Sequence, residues 1–289
     1  MAAHGRHYAV RLDSDGQLLH CYARGKRSQV ACGDRVGVDI TAQGQGIICQ
    51  VAARGALLYR SDAFKQKLIA ANVSQVLVVV ATEPGFNAEL ISRCLVAAES
   101  QNLRTAIVLN KVDLAARLAN AHAQLAPMQR AGYPVIELSA KRSAAPLDAW
   151  VHGQRSILVG QSGMGKSTLV NALVPDAGAA TREISAALDS GKHTTTLSRL
   201  YRLDDDTQLI DSPGLQVFGL AHLARSEVER AFVEFRPYFG QCRFRDCRHL
   251  TEPDCALIAA VADGKIDAQR FRHYHAICAE LPQQPVIFS

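Results

Sequence analysis

One stretch constrains this chain more than any other: Arg155 to Val174, in which Gly160-x4-Gly165-Lys166-Ser167 follows an apolar run at Ser156 to Val159. Apolar residues at helical spacing follow it, at Leu169, Val170 and Leu173. Strand, glycine loop and helix in that order make the phosphate-binding P-loop. Its glycines let the backbone turn tightly and present N–H groups to phosphate oxygens. A helix starting near Lys166 aims its positive end at the same anion. Gly160, Gln161, Ser162, Gly163, Met164, Gly165, Lys166, Ser167 and Thr168 are therefore the expected cradle. In it Lys166 reaches the β/γ-phosphates and Ser167 offers a hydroxyl to Mg²⁺.

A chain of 289 residues suggests two domains with room for a small third. Net charge is +5, which permits a polyanionic partner without requiring one. The first residues contain no apolar signal segment, and no apolar run is long enough for a bilayer. Eight cysteines in such a chain read as reduced thiols or metal ligands. We expect a cytoplasmic monomer without a membrane partner.

Residues 1–62 read as short strands separated by turn signals at Asp13 to Gly16, Cys32 to Asp34 and Gln43 to Gly46. About five strands in this length suit a small barrel, the OB-fold being the commonest. Arg24, Lys26, Arg27, Arg35, Arg54 and Arg60 make the segment basic, either as a solvated face or as an oligonucleotide-binding one. Residues 63–225 alternate strands with helices, which predicts a mostly parallel, doubly wound sheet with ligands at its carboxyl edge. Residues 226–289 read as helices around a Cys/His cluster. The fold class is multidomain α/β, with an N-terminal OB-fold β-barrel, a P-loop domain and a C-terminal α-helical metal-binding domain.

The base-recognition candidates sit at a strand end: Asn110, Lys111, Val112 and Asp113. A carboxylate at Asp113 can accept from both N1–H and the 2-amino group of guanine, donors that adenine lacks there. Asn110 would tie the loop together, and Lys111 would lay its stem over the ring. Ser139, Ala140 and Lys141 follow the next strand and would brace the base, although such a run is also an ordinary polar turn. Asp211-Ser-Pro-Gly214 supplies an acid for Mg²⁺ and a glycine whose N–H can sense the γ-phosphate. Together these four pieces form the GTPase set. Asn110 and Ser139 here precede Gly160, whereas most GTPases run in the opposite order. The domain is therefore read as circularly permuted, a change that leaves strand-end loops in place.

Gly191 to Thr196 lies between the P-loop and Asp211. A threonine there should ligate Mg²⁺, and Thr195 and Thr196 are equal candidates. His193 is the candidate catalytic residue beside Lys166. Many GTPases place a water-orienting glutamine after Asp-x-x-Gly, and this chain has Leu215. His193 can instead be only a polar loop residue or a partner contact.

Cys242, Cys247, His249 and Cys255 form a Cys₃His set, the make-up of a closed structural zinc site. A C-terminal segment short of core residues would benefit from such a staple. Arg243, Phe244, Arg245, Arg248 and His249 interleave base and aromatic, which suits RNA contact. His273 and His275 read as surface residues.

With these motifs in that order, the chain resembles the ribosome small-subunit-dependent GTPase A family (RsgA, also called YjeQ). The carriers are the runs at Asn110, Gly160, Gly191 and Asp211 and the cluster at Cys242. The resemblance implies an OB-fold, a permuted GTPase and a zinc domain. It implies hydrolysis of GTP to GDP, stimulated by the small ribosomal subunit and its rRNA in late maturation. It also implies that the matching histidine, His193, positions water. A long basic extension before the barrel is missing from the sequence, which puts any role for one in doubt here. Two other readings share many of the motifs: a permuted GTPase regulating a protein partner without RNA, and a zinc-dependent RNA-binding protein with a vestigial nucleotide site.

Overall fold

The computed structural model describes residues 2–4, 7–24, 30–62, 66–174, 177 and 198–282. Its first strands are β1 (Ala2–His4), β2 (His7–Arg11), β3 (Leu18–Ala23), β4 (Val36–Ala42) and β5 (Gln45–Val51). They pair in the order β1-β2-β3-β5-β4, antiparallel except between β3 and β5. Alternation explains what they bury. Tyr8 and Val10 on β2 and Leu19 and Cys21 on β3 point inward, joined by Val30 and Ile48 in a small core. This is the strand set of the expected OB-type barrel. Not all of its basic residues form a face. Arg54 clamps the buried Asp34 at 2.7 and 2.8 Å, and Asp34 also accepts from Ala31 N at 2.7 Å. Arg60 donates to the Val217 carbonyl at 2.7 Å. Both do structural work that a charge count does not reveal.

Strands β6 (Leu57–Ser61) and β7 (Gln66–Ala71) form a separate hairpin that spans position 62. Its Leu58 and Ile69 join the larger hydrophobic cluster and not the barrel's.

That cluster surrounds a second set of strands: β8 (Gln75–Ala81), β9 (Arg104–Asn110), β10 (Val135–Glu137), β11 (Arg155–Val159), β12 (Arg199–Arg202) and β13 (Gln208–Asp211). Their order is β10-β9-β8-β11-β13-β12, and only β12 runs antiparallel. Every residue of β8 is buried, as a strand covered on both faces requires. The cover comes from helices that include α1 (Ala88–Glu99), α2 (Leu118–Arg130), α3 (Asp148–Val151) and α4 (Lys166–Leu173). Asn87 starts α1 by accepting from Glu89 N and Leu90 N. Helix α2 begins at Leu118, after a 3₁₀ turn at Ala115–Arg117. Register aligns Ala81 with Asn110, Val78 with Val159 and Leu158 with Asp211, so strands β9, β11 and β13 finish along one edge.

The C-terminal helices are α5 (Arg225–Ala231), α6 (Ala256–Ala262) and α7 (Ala268–Glu280). They do not stand on a metal staple alone, as their composition suggests. Phe232, Phe235, Leu257, Tyr274 and Ile277 are buried in the same cluster as the sheet. The fully buried Arg270 pairs with Glu234 at 2.7 Å, donates to Ser92 Oγ on α1 at 3.0 Å and lies over the Phe232 ring at 4.5 Å. His273, read from sequence as a surface residue, is buried, with Nδ1 2.8 Å from the same Ser92 hydroxyl. The helical periodicity of α7 places His273 on its inner face but cannot say that α1 covers it.

The chain after Gly214 is fastened to β6. Ser61 N donates to the Gly219 carbonyl at 3.0 Å, and Ala221 N donates to the Ser61 carbonyl at 3.2 Å. The Ser61 hydroxyl accepts from His222 N at 3.0 Å and lies 2.7 Å from His222 Nδ1, so it donates to a neutral imidazole. Tyr59 covers that ring at 4.1 Å. Burial lowers the His222 pKa to about 4, from an ordinary 6.5. Because the folded pKa lies below the unfolded one, the unfolded chain binds more protons between those values. Stability is therefore fully present above about pH 6.5 and falls as pH drops toward about 4. Thermal melts across this range should show a steeper acid loss for the parent than for His222→Gln.

Candidate nucleotide site and metal cluster

The P-loop leaves β11 at Val159 and enters α4 at Lys166. Gly165 has φ +88°, and a Cβ there would collide with the Asn110 amide, so only glycine fits without strain. Gly214 meets the loop from the other side, where a Cβ would lie 2.9 Å from Ser162 N. The Asp-x-x-Gly segment thus rests directly on the phosphate loop, and Leu215 N donates to the Gly160 carbonyl at 3.0 Å.

Lys166 is buried, and its Nζ donates to the Gly160 and Gln161 carbonyls at 2.9 Å each. Burial lowers its pKa, while the Asp211 carboxylate pulls it back up. Asp211 is 4 % exposed and its Oδ1 is buried without a hydrogen-bond partner among the described residues. Burial pushes its pKa up to about 6, against the opposing pull of Lys166, Arg199 and the Ser167 hydroxyl. An orphaned carboxylate oxygen beside a hydroxyl is the donor set a hard divalent cation takes, so Ser167 and Asp211 fit Mg²⁺.

The base side is knitted to the P-loop. Asn110 Oδ1 accepts from Lys111 N at 2.8 Å and from Ala140 N at 2.9 Å, while its Nδ2 donates to the Met164 carbonyl at 3.0 Å. One amide therefore ties together the Asn-Lys-x-Asp run, the Ser139 turn and the P-loop. Lys111, at φ +61°, spans the site, donating to the Glu83 and Gly163 carbonyls at 2.8 Å each. Thr82 holds it there by donating to the Lys111 carbonyl at 2.8 Å. Neither Thr82 nor Glu83 belongs to a recognisable motif, and both reach the site through β8. Asp113 is half-buried, with the Ser139 hydroxyl beside it holding its carboxyl below the usual range. Val112 N donates to the Leu138 carbonyl at 3.3 Å, and the Lys141 charge acts on the Asp113 carboxyl. Thr168 lies in the first turn of α4. His193, Thr195 and Thr196 lie outside the described residues.

In the C-terminal segment, the donor atoms of Cys242, Cys247, His249 and Cys255 all fall within 4.8 Å of one another. His249 Nδ1 is 3.3 Å from Cys255 Sγ and 3.7 Å from Cys242 Sγ. Three sulfurs and one imidazole nitrogen around one point fit a tetrahedral metal with no open position. His249 is 4 % exposed and cannot serve the RNA-contacting surface its sequence neighbours suggest. Phe244 and Leu250 on the same loops are exposed.

A family model described as RsgA GTPase matches residues 51–221. The chain belongs to the RsgA GTPase family. A relative named small ribosomal subunit biogenesis GTPase RsgA, from Burkholderia pseudomallei (strain K96243), is 55 % identical over 287 residues. The alignment covers 97 % of this chain and 90 % of that protein. Among solved structures, YjeQ from Thermotoga maritima aligns with a TM-score of 0.69 at 29 % identity, covering 97 % of this chain and 96 % of that one. YloQ, described as a circularly permuted GTPase, aligns at 0.66 and 24 % identity over 98 % and 94 %, a likeness of fold. As an RsgA-family GTPase the chain is a GTP hydrolase, and its motif order along β9, β10, β11 and β13 is the permuted one. Among the described residues no helix is long and apolar enough to cross a membrane.

Proposed function

We propose that this RsgA-family GTPase binds the small ribosomal subunit and hydrolyses GTP to GDP and phosphate during late subunit maturation. The observation that carries the proposal is the union, on one hydrophobic core, of the P-loop, Asn-Lys-x-Asp and Asp-x-x-Gly loops with a Cys₃His cluster. The relative named above supplies the partner.

In this reading the P-loop backbone and Lys166 hold the β/γ-phosphates, and Asp113 accepts from the guanine edge. Ser167, Asp211 and either Thr195 or Thr196 hold Mg²⁺, which neutralises charge on the transferring phosphoryl group when bound. Gly214, seated on Ser162, is placed to register the γ-phosphate. The chain divides functionally into 1–62 for RNA contact, 63–225 for GTP and 226–289 for metal, and acts in the cytoplasm as a monomer. The metal is zinc, which thiolate-rich tetrahedral sites favour.

GTP hydrolysis by the full chain with and without purified small subunits is the deciding experiment. Stimulation by subunits supports the reading, and equal rates reject it. Salt-dependent co-sedimentation with subunits separates an RNA contact from a purely protein one.

The metal should be distal to the chemistry. Cys247→Ala should lose the metal and impair subunit binding while GDP affinity changes by less than about threefold, because the P-loop has its own supports. Metal release and nucleotide binding, followed together during chelation, check this. Loss of both at one rate would make them a single unit.

A further inference from the structure

His249 presents Nδ1 to the sulfurs and turns Nε2 away from them. That Nε2 is buried and makes no well-aligned hydrogen bond, yet it faces Glu229 Oε1 at 3.4 Å. Glu229 lies on α5, and among the described residues its carboxylate forms an ion pair with no group but His249. One turn earlier on the same helix, Arg225 Nη2 donates to the Arg248 carbonyl at 2.6 Å and the guanidinium covers the Tyr274 ring at 5.5 Å. Residues four apart on one helix face therefore grip two consecutive residues of the metal loop. The grip has something to hold, because His249 sits at φ +58°, a conformation a non-glycine residue keeps only under restraint.

From this geometry we infer that Glu229 is the outer-sphere carboxylate of the metal centre, a positioning residue that orients His249 for coordination. A metal-bound imidazole donates its second N–H, and a carboxylate that accepts it fixes both tautomer and ring plane. With Nδ1 committed to the metal, Nε2 carries the proton, and Glu229 is the acceptor within reach. Arg225 holds the backbone of the same loop. The outer-sphere partner of the His249 ring is thus supplied by the helix that follows the Asp211 segment.

The inference rests on the Cys₃His set holding a metal, and the experiment keeps the two apart. Zn²⁺ affinity of the full chain is measured by competition with a chromophoric chelator, and the visible spectrum of the Co²⁺-substituted protein is recorded. A parent chain that takes up neither ion refutes the metal site itself. With a metal-binding parent, Glu229→Ala should weaken Zn²⁺ affinity by about 10- to 100-fold and shift the Co²⁺ bands. Glu229→Gln, whose amide oxygen can still accept from Nε2, should recover most of that loss. Glu227→Ala is the control, since Glu227 caps α5 at Ala224 N without touching the metal loop. Equal affinity in the parent and Glu229→Ala overturns the inference. So does an equal loss in Glu227→Ala, which would reduce the effect to helix stability. Should Glu229→Ala not fold, Glu229→Asp keeps the charge, shortens the reach and must still weaken Zn²⁺ binding.

Discussion

Asp113→Asn is expected to move base choice from guanine to xanthine. A site that hydrogen-bonds a particular group rejects its analogue by roughly 10⁴-fold, because buried polar groups are otherwise left unpaired. The carboxylate here is half-buried and kept ionised by the Ser139 hydroxyl, so it is ready to accept two donors. An amide keeps one acceptor and gains a donor, which clashes with the guanine 2-amino group and suits the 2-oxo group of xanthine. The loop should survive the change, since its shape depends on Asn110 and Lys111, which hold the Ala140 amide and the Met164, Glu83 and Gly163 carbonyls. Competition binding of GTP and xanthosine triphosphate checks the outcome, and an unchanged preference for guanine would remove Asp113 from base recognition.

The nucleotide loops were legible in the sequence because their chemistry is local. Each needs particular residue types within a few positions, directly after an apolar strand. The Cys₃His set was legible for the same reason, since a metal demands donors and little else. The partners that hold these loops were not. Thr82 and Glu83 reach Lys111 from the turn after β8, and Glu229 reaches His249 from α5. Arg270 and His273 meet at Ser92, about 180 residues away along the chain, and nothing near either position announces it. Arg54 likewise counts toward a basic face until Asp34 is seen beneath it. A charged residue's neighbours in space decide whether it is a surface or a strut.

These hidden contacts share a theme. The chain from Asp211 to Ala231 touches three regions in turn. Gly214 rests on the P-loop at Ser162, Gly219 and His222 bind Ser61 of β6, and Arg225 and Glu229 grip the metal loop. Permutation makes this possible by placing the Asp-x-x-Gly segment last among the nucleotide loops, so that its continuation leads into the metal-bearing helices. A displacement of Gly214 with nucleotide state has a covalent route to both neighbours, which needs no further relay.

His193→Ala is expected to keep GTP and subunit binding while losing most stimulated hydrolysis, by about 10²- to 10⁴-fold, the usual range for a positioned acid–base group. At the residue after Asp-x-x-Gly many GTPases carry a water-orienting glutamine. Here it is Leu215, 5 % exposed, packed in the core and tied by its N–H to Gly160. It has no polar atom to offer and no freedom to swing toward a γ-phosphate. Water must be oriented by another group. His193 lies outside the described residues, but its place in the sequence sets it just before the threonines proposed to hold Mg²⁺. An imidazole there can hydrogen-bond the attacking water and, near neutral pH, accept its proton. Under the proposed stimulation by the small subunit the free enzyme should be slow, so the defect should emerge chiefly with subunits present. Single-turnover hydrolysis at saturating small subunits is the measurement. A variant that turns over at the parent rate would clear His193 of any catalytic part and leave the water to a group supplied by the subunit.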